Sequence, residues 1–233
     1  AAMNMADSVA HYTGFEAFAH VSEMLNLDIT TSNAHFVPRA GRLMLISNHP
    51  TGLADGIAAF DALRELRPDL IFFANADALR VVPGSKDIII PVEWVSAKRT
   101  REKARETLIH FRRAMDEERC VVVFPSGGLA KLGMNGLIDR PWASSAASLA
   151  RKFKIPIVPV HMRGRNSILY YLFSAFNTEL RDITLFHELL NKKNKSFSLN
   201  FGSPIATDTL PSNTDEATQA LHQMVTYDLA VTE

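Results

Sequence analysis

The chain has 233 residues, of which 47% are hydrophobic and 21% are charged, and its formal net charge at pH 7 is zero. This composition excludes a disordered or collagen-like chain, and the balanced charge gives no reason to expect a nucleic-acid partner. The length suits one large α/β domain with a substantial core. We therefore predict a single domain over residues 1–233, in which residues 1–30 form a helical N-terminal extension.

Cysteine usage and hydropathy bear on the compartment. Cys120 is the only cysteine and lies in the apolar run CVVVF, so no intramolecular disulfide can form and we expect a reducing, cytoplasmic environment. No segment has the roughly eighteen consecutive apolar residues that span a bilayer, and the N-terminus lacks a charged-then-apolar secretory pattern. We therefore expect a protein that neither spans nor crosses a membrane.

Short apolar runs alternate with longer amphipathic or charged segments along the chain. The segment at 14–27 spaces its apolar residues as an amphipathic helix does, and the run RLMLIS at 42–47 is typical of a buried parallel strand. Strands are predicted at 42–47, 70–74, 87–92, 120–124, 156–160 and 196–201. Helices are predicted at 14–27, 55–66, 97–117, 142–153 and 214–230, with apolar helical stretches near 167–176 and 180–191. This alternation predicts an α/β fold with a mostly parallel central sheet flanked by helices.

A histidine and an aspartate follow the first predicted strand, in the stretch SNHPTGLADG. Five residues separate His49 from Asp55, which stands at or near the N-cap of the next predicted helix. An aspartate that accepts the Nδ1 proton of a histidine leaves Nε2 free to act as a general base toward a bound hydroxyl nucleophile. The alternative is a surface histidine beside an aspartate that only caps a helix.

Two further predicted strands end in segments that suit ligand binding. After the strand at 120–124, paired glycines let backbone N–H groups approach a ligand, as in an oxyanion hole. This segment consists of Phe124, Pro125, Ser126, Gly127 and Gly128. After the strand at 156–160, Arg163 and Arg165 could hold a phosphate or a carboxylate. An ordinary turn and solvated surface arginines are the alternatives, but ligands of parallel α/β sheets bind beyond the carboxyl ends of strands.

Several other catalytic classes lack their sequence signatures. No G-x-S-x-G elbow is present for a serine hydrolase, and the glycines match neither phosphate-binding fingerprint of nucleotide enzymes. No cluster of His, Cys and carboxylate residues has metal-ligand spacing, so no metal is expected.

Taken together, the stretches resemble the lysophospholipid acyltransferase (glycerolipid acyltransferase, PlsC-like) family over residues 40–205. The matching blocks are NHPTGLADG, FPSGG, PVHMRGRNSILYYLF and LLNKKNKSFSLNFGSPI, and they are most similar to the hemolysin-like or ornithine-lipid acyltransferase branch. The resemblance implies a glycerolipid-acyltransferase-like fold and an O-acyltransferase of phospholipid metabolism, without a bound cofactor. The acyl donor would be acyl-CoA or acyl carrier protein, and the acceptor would be the hydroxyl of a lysolipid such as lyso-ornithine lipid or lysophosphatidate.

The same resemblance assigns roles to residues of this chain. It implies that His49 is the base, that Asp55 orients it, and that the segment from Phe124 to Gly128 binds the donor and the oxyanion. Two departures matter. The histidine and aspartate are five residues apart rather than the family's four, a spacing that the hemolysin-like branch shares. Ser126 and Gly128 stand where phosphatidic-acid-forming enzymes have the charged motif Phe-Pro-Glu-Gly-Thr-Arg, so an acceptor without glycerol phosphate, such as lyso-ornithine lipid, becomes a serious candidate.

Two segments bear on membrane contact. Residues 97–113 are locally basic and could bind anionic lipid headgroups, coenzyme A phosphates or an acyl carrier protein, although a solvent-facing helix with charge pairs is the alternative. The apolar stretch 168–176 could dip into a bilayer, line an acyl tunnel or belong to the core. We therefore expect peripheral attachment to the cytoplasmic membrane face. A noncatalytic lipid-binding or regulatory protein on the same fold is the rival hypothesis, and it predicts that the His49 and Asp55 side chains lie more than about 4 Å apart.

Overall fold

Seven strands form the central sheet, and two more form a separate hairpin. In the computed structural model, the described residues are 11–93, 99–133, 136–167, 170 and 188–230. The sheet strands are β1 (Asp28–Ser32), β2 (Leu43–Ser47), β3 (Leu70–Asn75), β4 (Ile89–Val92), β5 (Cys120–Val123), β8 (Ile157–Arg163) and β9 (Ser196–Phe201). The hairpin strands are β6 (Lys131–Gly133) and β7 (Gly136–Ile138).

The strand order in the sheet is β4-β3-β5-β2-β8-β9-β1. The five neighbouring strands from β4 to β8 are parallel, whereas β9 runs antiparallel to β8 and parallel to β1. The predicted mostly parallel sheet is therefore confirmed. β1 was not predicted, because its sequence DITTS has almost no apolar side chain and the strand lies mainly exposed at the sheet edge.

Helices cover the two faces of the sheet. They are α1 (Gly14–Leu25), α2 (Leu53–Leu63), α3 (Ala78–Val81), α4 (Arg101–Asp116), α5 (Ser145–Phe153) and α6 (Thr214–Gln223). Short 3-10 turns occupy Ala34–Phe36 and Pro83–Asp87, and a π-helical turn, Met224–Asp228, follows α6. The five predicted helices are confirmed with shifted ends, whereas most of the stretches near 167–176 and 180–191 lies outside the described residues. Among the helices described, none is long and apolar enough to cross a bilayer.

The core consists of one apolar cluster on each face of the sheet. Successive side chains of a strand point to opposite faces, so Leu43 and Leu45 of β2 join one cluster while Met44 and Ile46 join the other. Helices α1 and α2 cover the first face, and α4, α5 and α6 cover the second. Cys120 is fully buried, and this burial raises the pKa of its thiol to about 12, as expected of a packed apolar side chain.

The strand order brings three chain segments together at the carboxyl ends of the parallel strands, which we call the carboxyl edge of the sheet. Because β5, β2 and β8 are adjacent and parallel, the segments that follow them leave the sheet on the same side. These are the segments that begin at Asn48, Phe124 and Gly164. Residues that lie up to 115 positions apart in sequence can therefore contact one another there, as the bond from Asn166 to Thr51 does.

Candidate active site

His49 and Asp55 are in hydrogen-bond contact at this edge of the sheet. Nδ1 of His49 lies 2.9 Å from Oδ2 of Asp55. Helix α2 begins at Leu53, two residues earlier than predicted, and this places Asp55 in its first turn. The loop after His49 and the first turn of α2 thus bring the two side chains into contact across the five intervening residues.

The Asp55 carboxylate is held by more than the histidine. It is fully buried, and its Oδ2 also accepts the backbone N–H groups of Thr51 at 2.8 Å and Gly52 at 2.9 Å. The Thr51 hydroxyl donates to the other carboxylate oxygen, Oδ1. All four bonds are accepted by the carboxylate, as its ionised form requires, and they leave it one orientation.

The imidazole of His49 is positioned by the hydrogen bond at Nδ1 and by a stacking contact with one ring face. Its ring stacks on Phe124, with 4.4 Å between ring centroids and 21° between planes. With the Nδ1 proton directed to Asp55, Nε2 is the acceptor nitrogen. The side chain is 17% exposed, so the imidazole is accessible although Asp55 beneath it is not.

Backbone contacts that no sequence motif signalled fix the loop that carries His49. The Asn48 side chain pairs with the backbone of Met162 on β8, donating at 2.9 Å and accepting at 2.8 Å. The N–H of Ala130 donates to the His49 carbonyl at 2.9 Å. Gly52 has a φ of +95°, and a Cβ there would lie 2.9 Å from Cδ2 of Leu129. Glycine at position 52 is therefore required by both conformation and space.

The segment from Phe124 to Gly128 forms a tight turn next to the histidine. The N–H of Gly127, which has a φ of +58°, donates to the Phe124 carbonyl at 3.1 Å. The Ser126 hydroxyl donates to the Gly128 carbonyl at 2.9 Å. The amide of Gly127 is thus used within the turn, whereas the amides of Ser126 and Gly128 donate to no acceptor in the described part of the chain. Those two amides, rather than that of Gly127, are the oxyanion-hole candidates.

The two predicted arginines do not join this group of contacts. Arg163 is exposed at the end of β8 and donates from Nη2 to the Ala230 carbonyl at 2.9 Å, in the segment after α6. Arg165 is exposed. The hydrogen bonds of the described residues connect neither guanidinium with His49 or Asp55, so their role in anion binding stays a prediction.

A buried carboxylate, which no sequence motif indicated, lies near His49. Asp139 is 9% exposed, and its Oδ2 accepts the indole N–H of Trp142 at 2.7 Å. Burial raises the pKa of Asp139, while the hydrogen bond from Trp142, and His49 when it is protonated, oppose this rise. Asp139 follows the β6-β7 hairpin, a connection without a recognisable motif, and only the fold brings it to the site.

A cavity of about 680 Å³ adjoins the turn on the face covered by α4 and α5. Pro125 and Trp142 line its end near the turn, and Arg99 and Lys103 line it beside α4. Between these ends the lining is mainly apolar, with contributions from Phe73, Val123, Leu108 and Leu149. The cavity can therefore hold an apolar chain with a polar or anionic end.

Comparisons with known proteins identify the family of the chain. The model of a protein family described as acyltransferase matches residues 28–163, which include the His49 loop and the whole Phe124–Gly128 turn. A lyso-glycine lipid O-acyltransferase of Bacteroides thetaiotaomicron is 26% identical over 196 residues, which are 80% of this chain and 69% of that protein. A protein with the same description from Phocaeicola vulgatus is 24% identical over 195 residues, which are 80% and 67% of the two chains.

A solved structure shares the fold. The crystal structure of the 1-acyl-sn-glycerophosphate acyltransferase PlsC from Thermotoga maritima superposes with a TM-score of 0.53 and 12% identity, covering 94% of this chain and 82% of that one. At this identity the likeness concerns the fold alone. The predicted glycerolipid-acyltransferase-like architecture is thereby confirmed.

Proposed function

The chain belongs to the acyltransferase family, and we propose that it moves a fatty acyl group from a thioester donor to the hydroxyl of a lysolipid. The O-acyltransferase class rests on the family match and on two relatives described as lyso-glycine lipid O-acyltransferases. The observation that carries the mechanism is the 2.9 Å bond between Nδ1 of His49 and the buried carboxylate of Asp55. The rival lipid-binding hypothesis expected a separation of more than about 4 Å.

In the proposed reaction, Nε2 of His49 takes the proton of the acceptor hydroxyl as its oxygen attacks the thioester carbonyl carbon. Asp55 stabilises the imidazolium that forms. The amides of Ser126 and Gly128 donate to the oxyanion of the tetrahedral intermediate. When the intermediate collapses, the C–S bond breaks and the thiolate receives the proton from His49, so the ester and a free thiol leave and the enzyme regains its starting state.

The donor in this proposal is acyl-CoA or an acyl carrier protein, and it binds at the cavity beside α4. Support comes from the mainly apolar cavity wall, which suits the acyl and pantetheine chains, and from Arg99 and Lys103 beside it, which suit phosphate groups or an acidic protein surface. Lys103 also pairs with Glu93 at 2.7 Å, so this basic patch is partly neutralised.

The acceptor in this proposal is an amino-acid lysolipid of the lyso-glycine or lyso-ornithine type, with lysophosphatidate as the competing class. The names of the two relatives support the first choice. So does the turn itself, because Ser126 and Gly128 bring no charged side chain to it. Arg163 and Arg165 remain candidate anion-binding groups at the outer end of β8.

Membrane contact is peripheral in this proposal, at the cytoplasmic face, and the β6-β7 hairpin makes it. Leu132 is 63% exposed and Ile138 is 58% exposed. Leu132 pairs with Leu137, and Ile138 pairs with Lys131, so the two exposed side chains project from opposite faces of the hairpin. A protein partner would cover one face, whereas a lipid layer surrounds both.

Acyl-transfer assays test this function. Long-chain acyl-CoA and acyl carrier protein are offered with lyso-glycine lipid, lyso-ornithine lipid or lysophosphatidate to the wild type, to His49→Ala and to the control His35→Ala, an exposed histidine after β1. Loss of a general base is expected to lower kcat by about 10²- to 10⁴-fold. Equal activity of His49→Ala and the control would refute the base assignment. No transfer by the wild type to any acceptor would favour the noncatalytic lipid-binding alternative.

A further inference from the structure

Arg140 is hydrogen-bonded to the segment of Leu129 and Ala130, which in turn contacts the loop that carries His49. Its Nε donates to the Leu129 carbonyl at 3.1 Å. The next residue, Ala130, donates its N–H to the His49 carbonyl at 2.9 Å. Two consecutive residues therefore connect the guanidinium with the histidine, although Arg140 lies 91 positions after His49 in the sequence.

Gly128 provides the space in which this arginine lies. The φ of Gly128 is not positive, so the backbone there does not require glycine. A Cβ at position 128 would lie 3.2 Å from Cδ and Nε of Arg140 and 3.3 Å from Cζ. Carbon atoms in good contact are about 3.5–4.0 Å apart, so a side chain at this position would push the arginine away. The guanidinium therefore lies directly over the turn that carries the oxyanion-hole candidates.

The outer nitrogens of the guanidinium are not used within the protein. In the part of the chain that the structure describes, no hydrogen bond or ion pair involves Nη1 or Nη2 of Arg140, and the side chain is half-buried. The carboxylate next to it in sequence, Asp139, accepts instead from Trp142. A planar guanidinium with free Nη groups suits bidentate pairing with a carboxylate or a phosphate.

We propose that Arg140 binds the anionic headgroup of the lysolipid acceptor, a carboxylate or a phosphate, and so directs the acceptor hydroxyl to His49. This inference rests on the proposed function and adds the group that recognises the acceptor. The turn itself has no cation, since Ser126 and Gly128 are uncharged. Arg140, which is 12 residues after Gly128, supplies the positive charge. It can lie there because glycine at position 128 has no side chain to occupy the space.

Equilibrium binding separates this inference from catalysis. The probes are N-(3-hydroxyacyl)glycine, its neutral methyl ester and lysophosphatidate, each titrated into wild type, Arg140→Gln, Arg140→Lys and the control Arg39→Gln. Arg39 is exposed and precedes β2, at the opposite edge of the sheet. Arg140→Gln should weaken binding of the acid by about 10-fold or more and leave binding of the ester unchanged, because only the acid pairs with the guanidinium. Arg140→Lys should retain part of the affinity, and Arg39→Gln should match the wild type.

Steady-state kinetics with the same acceptors completes the test. Arg140→Gln should raise KM for the anionic acceptor with little change in kcat. Wild-type preference for the acylglycine identifies the carboxylate as the ligand, and preference for lysophosphatidate identifies the phosphate. Equal wild-type affinity for acid and ester, or equal losses of both in Arg140→Gln, overturns the inference. Retained acid-selective binding in a chain that transfers no acyl group would count against the proposed function alone.

Discussion

Replacing Asp55 by asparagine is the sharpest test of how the catalytic pair works. Asparagine keeps an oxygen that can accept the Nδ1 proton of His49, and the Thr51 hydroxyl can turn to accept from the new amide, so the loop geometry should persist. What disappears is the negative charge beside the imidazolium. A hydrogen bond to a charged group contributes about 1.5–3 kcal/mol, against about 1 kcal/mol for a neutral one.

If that charge acts only when the imidazolium forms, its removal raises the free energy of the transition state. The difference between the charged and the neutral bond, about 0.5–2 kcal/mol, lowers kcat/KM by about 2- to 30-fold, which is less than removal of the base itself. The assay is initial-rate acyl transfer, normalised to the folded fraction measured by circular dichroism. Asp61→Asn makes the same chemical change on α2, where Asp61 accepts from Ser22 rather than from His49, and should leave kcat/KM unchanged.

A double variant decides whether Asp55 acts through His49. In a His49→Ala background, Asp55→Asn should cause no further loss, because the charge then has no imidazolium to stabilise. Losses that multiply in the double variant would refute this reasoning, as would full activity in Asp55→Asn alone.

The remaining expectations concern stability and membrane contact. Arg67 is fully buried and donates to Asp69 at 2.6 Å as well as to backbone carbonyls, so Arg67→Met should lower the free energy of unfolding in urea by about 3 kcal/mol. Burial tends to raise the pKa of Asp69, but the bonds and charge of Arg67 outweigh it and hold that pKa below its ordinary value, so stability should fall as the pH drops through the folded pKa. Arg67→Met should flatten this acid dependence, and an unchanged dependence would contradict the assignment. Replacing both Leu132 and Ile138 with serine should weaken partitioning onto anionic vesicles about 100-fold or more, since each side chain that enters the lipid contributes about 1.5–3 kcal/mol and the two together contribute at least about 3 kcal/mol. The same change at Tyr227, which is 53% exposed beyond α6, should leave partitioning unchanged, and equal effects at the two sites would argue against the hairpin as the insertion element.

The elements that the sequence predicted well are those whose own residues carry the signal. The runs at β2 and β5 are apolar throughout, so burial on both faces of a parallel sheet was evident from composition alone. β1 and the β6-β7 hairpin lack such runs, and their strands exist because of pairing partners. β1 pairs with β9, and the paired residues Asp28 and Ser196 lie 168 positions apart in the sequence. No local pattern reports such a distant partner.

The candidate site divides in the same way. The spacing of His49 and Asp55, the FPSGG turn and their positions after strands were all available from the sequence, because these features are local. The pairing of Asn48 with Met162, by contrast, depends on how β2 and β8 lie side by side.

Arg140 illustrates what only the tertiary structure decided. In the sequence it is one arginine among many, in a segment without a motif, while Arg163 and Arg165 looked better placed because each follows a strand. Folding directs Arg163 to the carbonyl of Ala230 and lays Arg140 over Gly128. The physical reason is that a side chain's neighbours are set by strand order and loop path, which are long-range properties, whereas sequence patterns record only burial and local conformation.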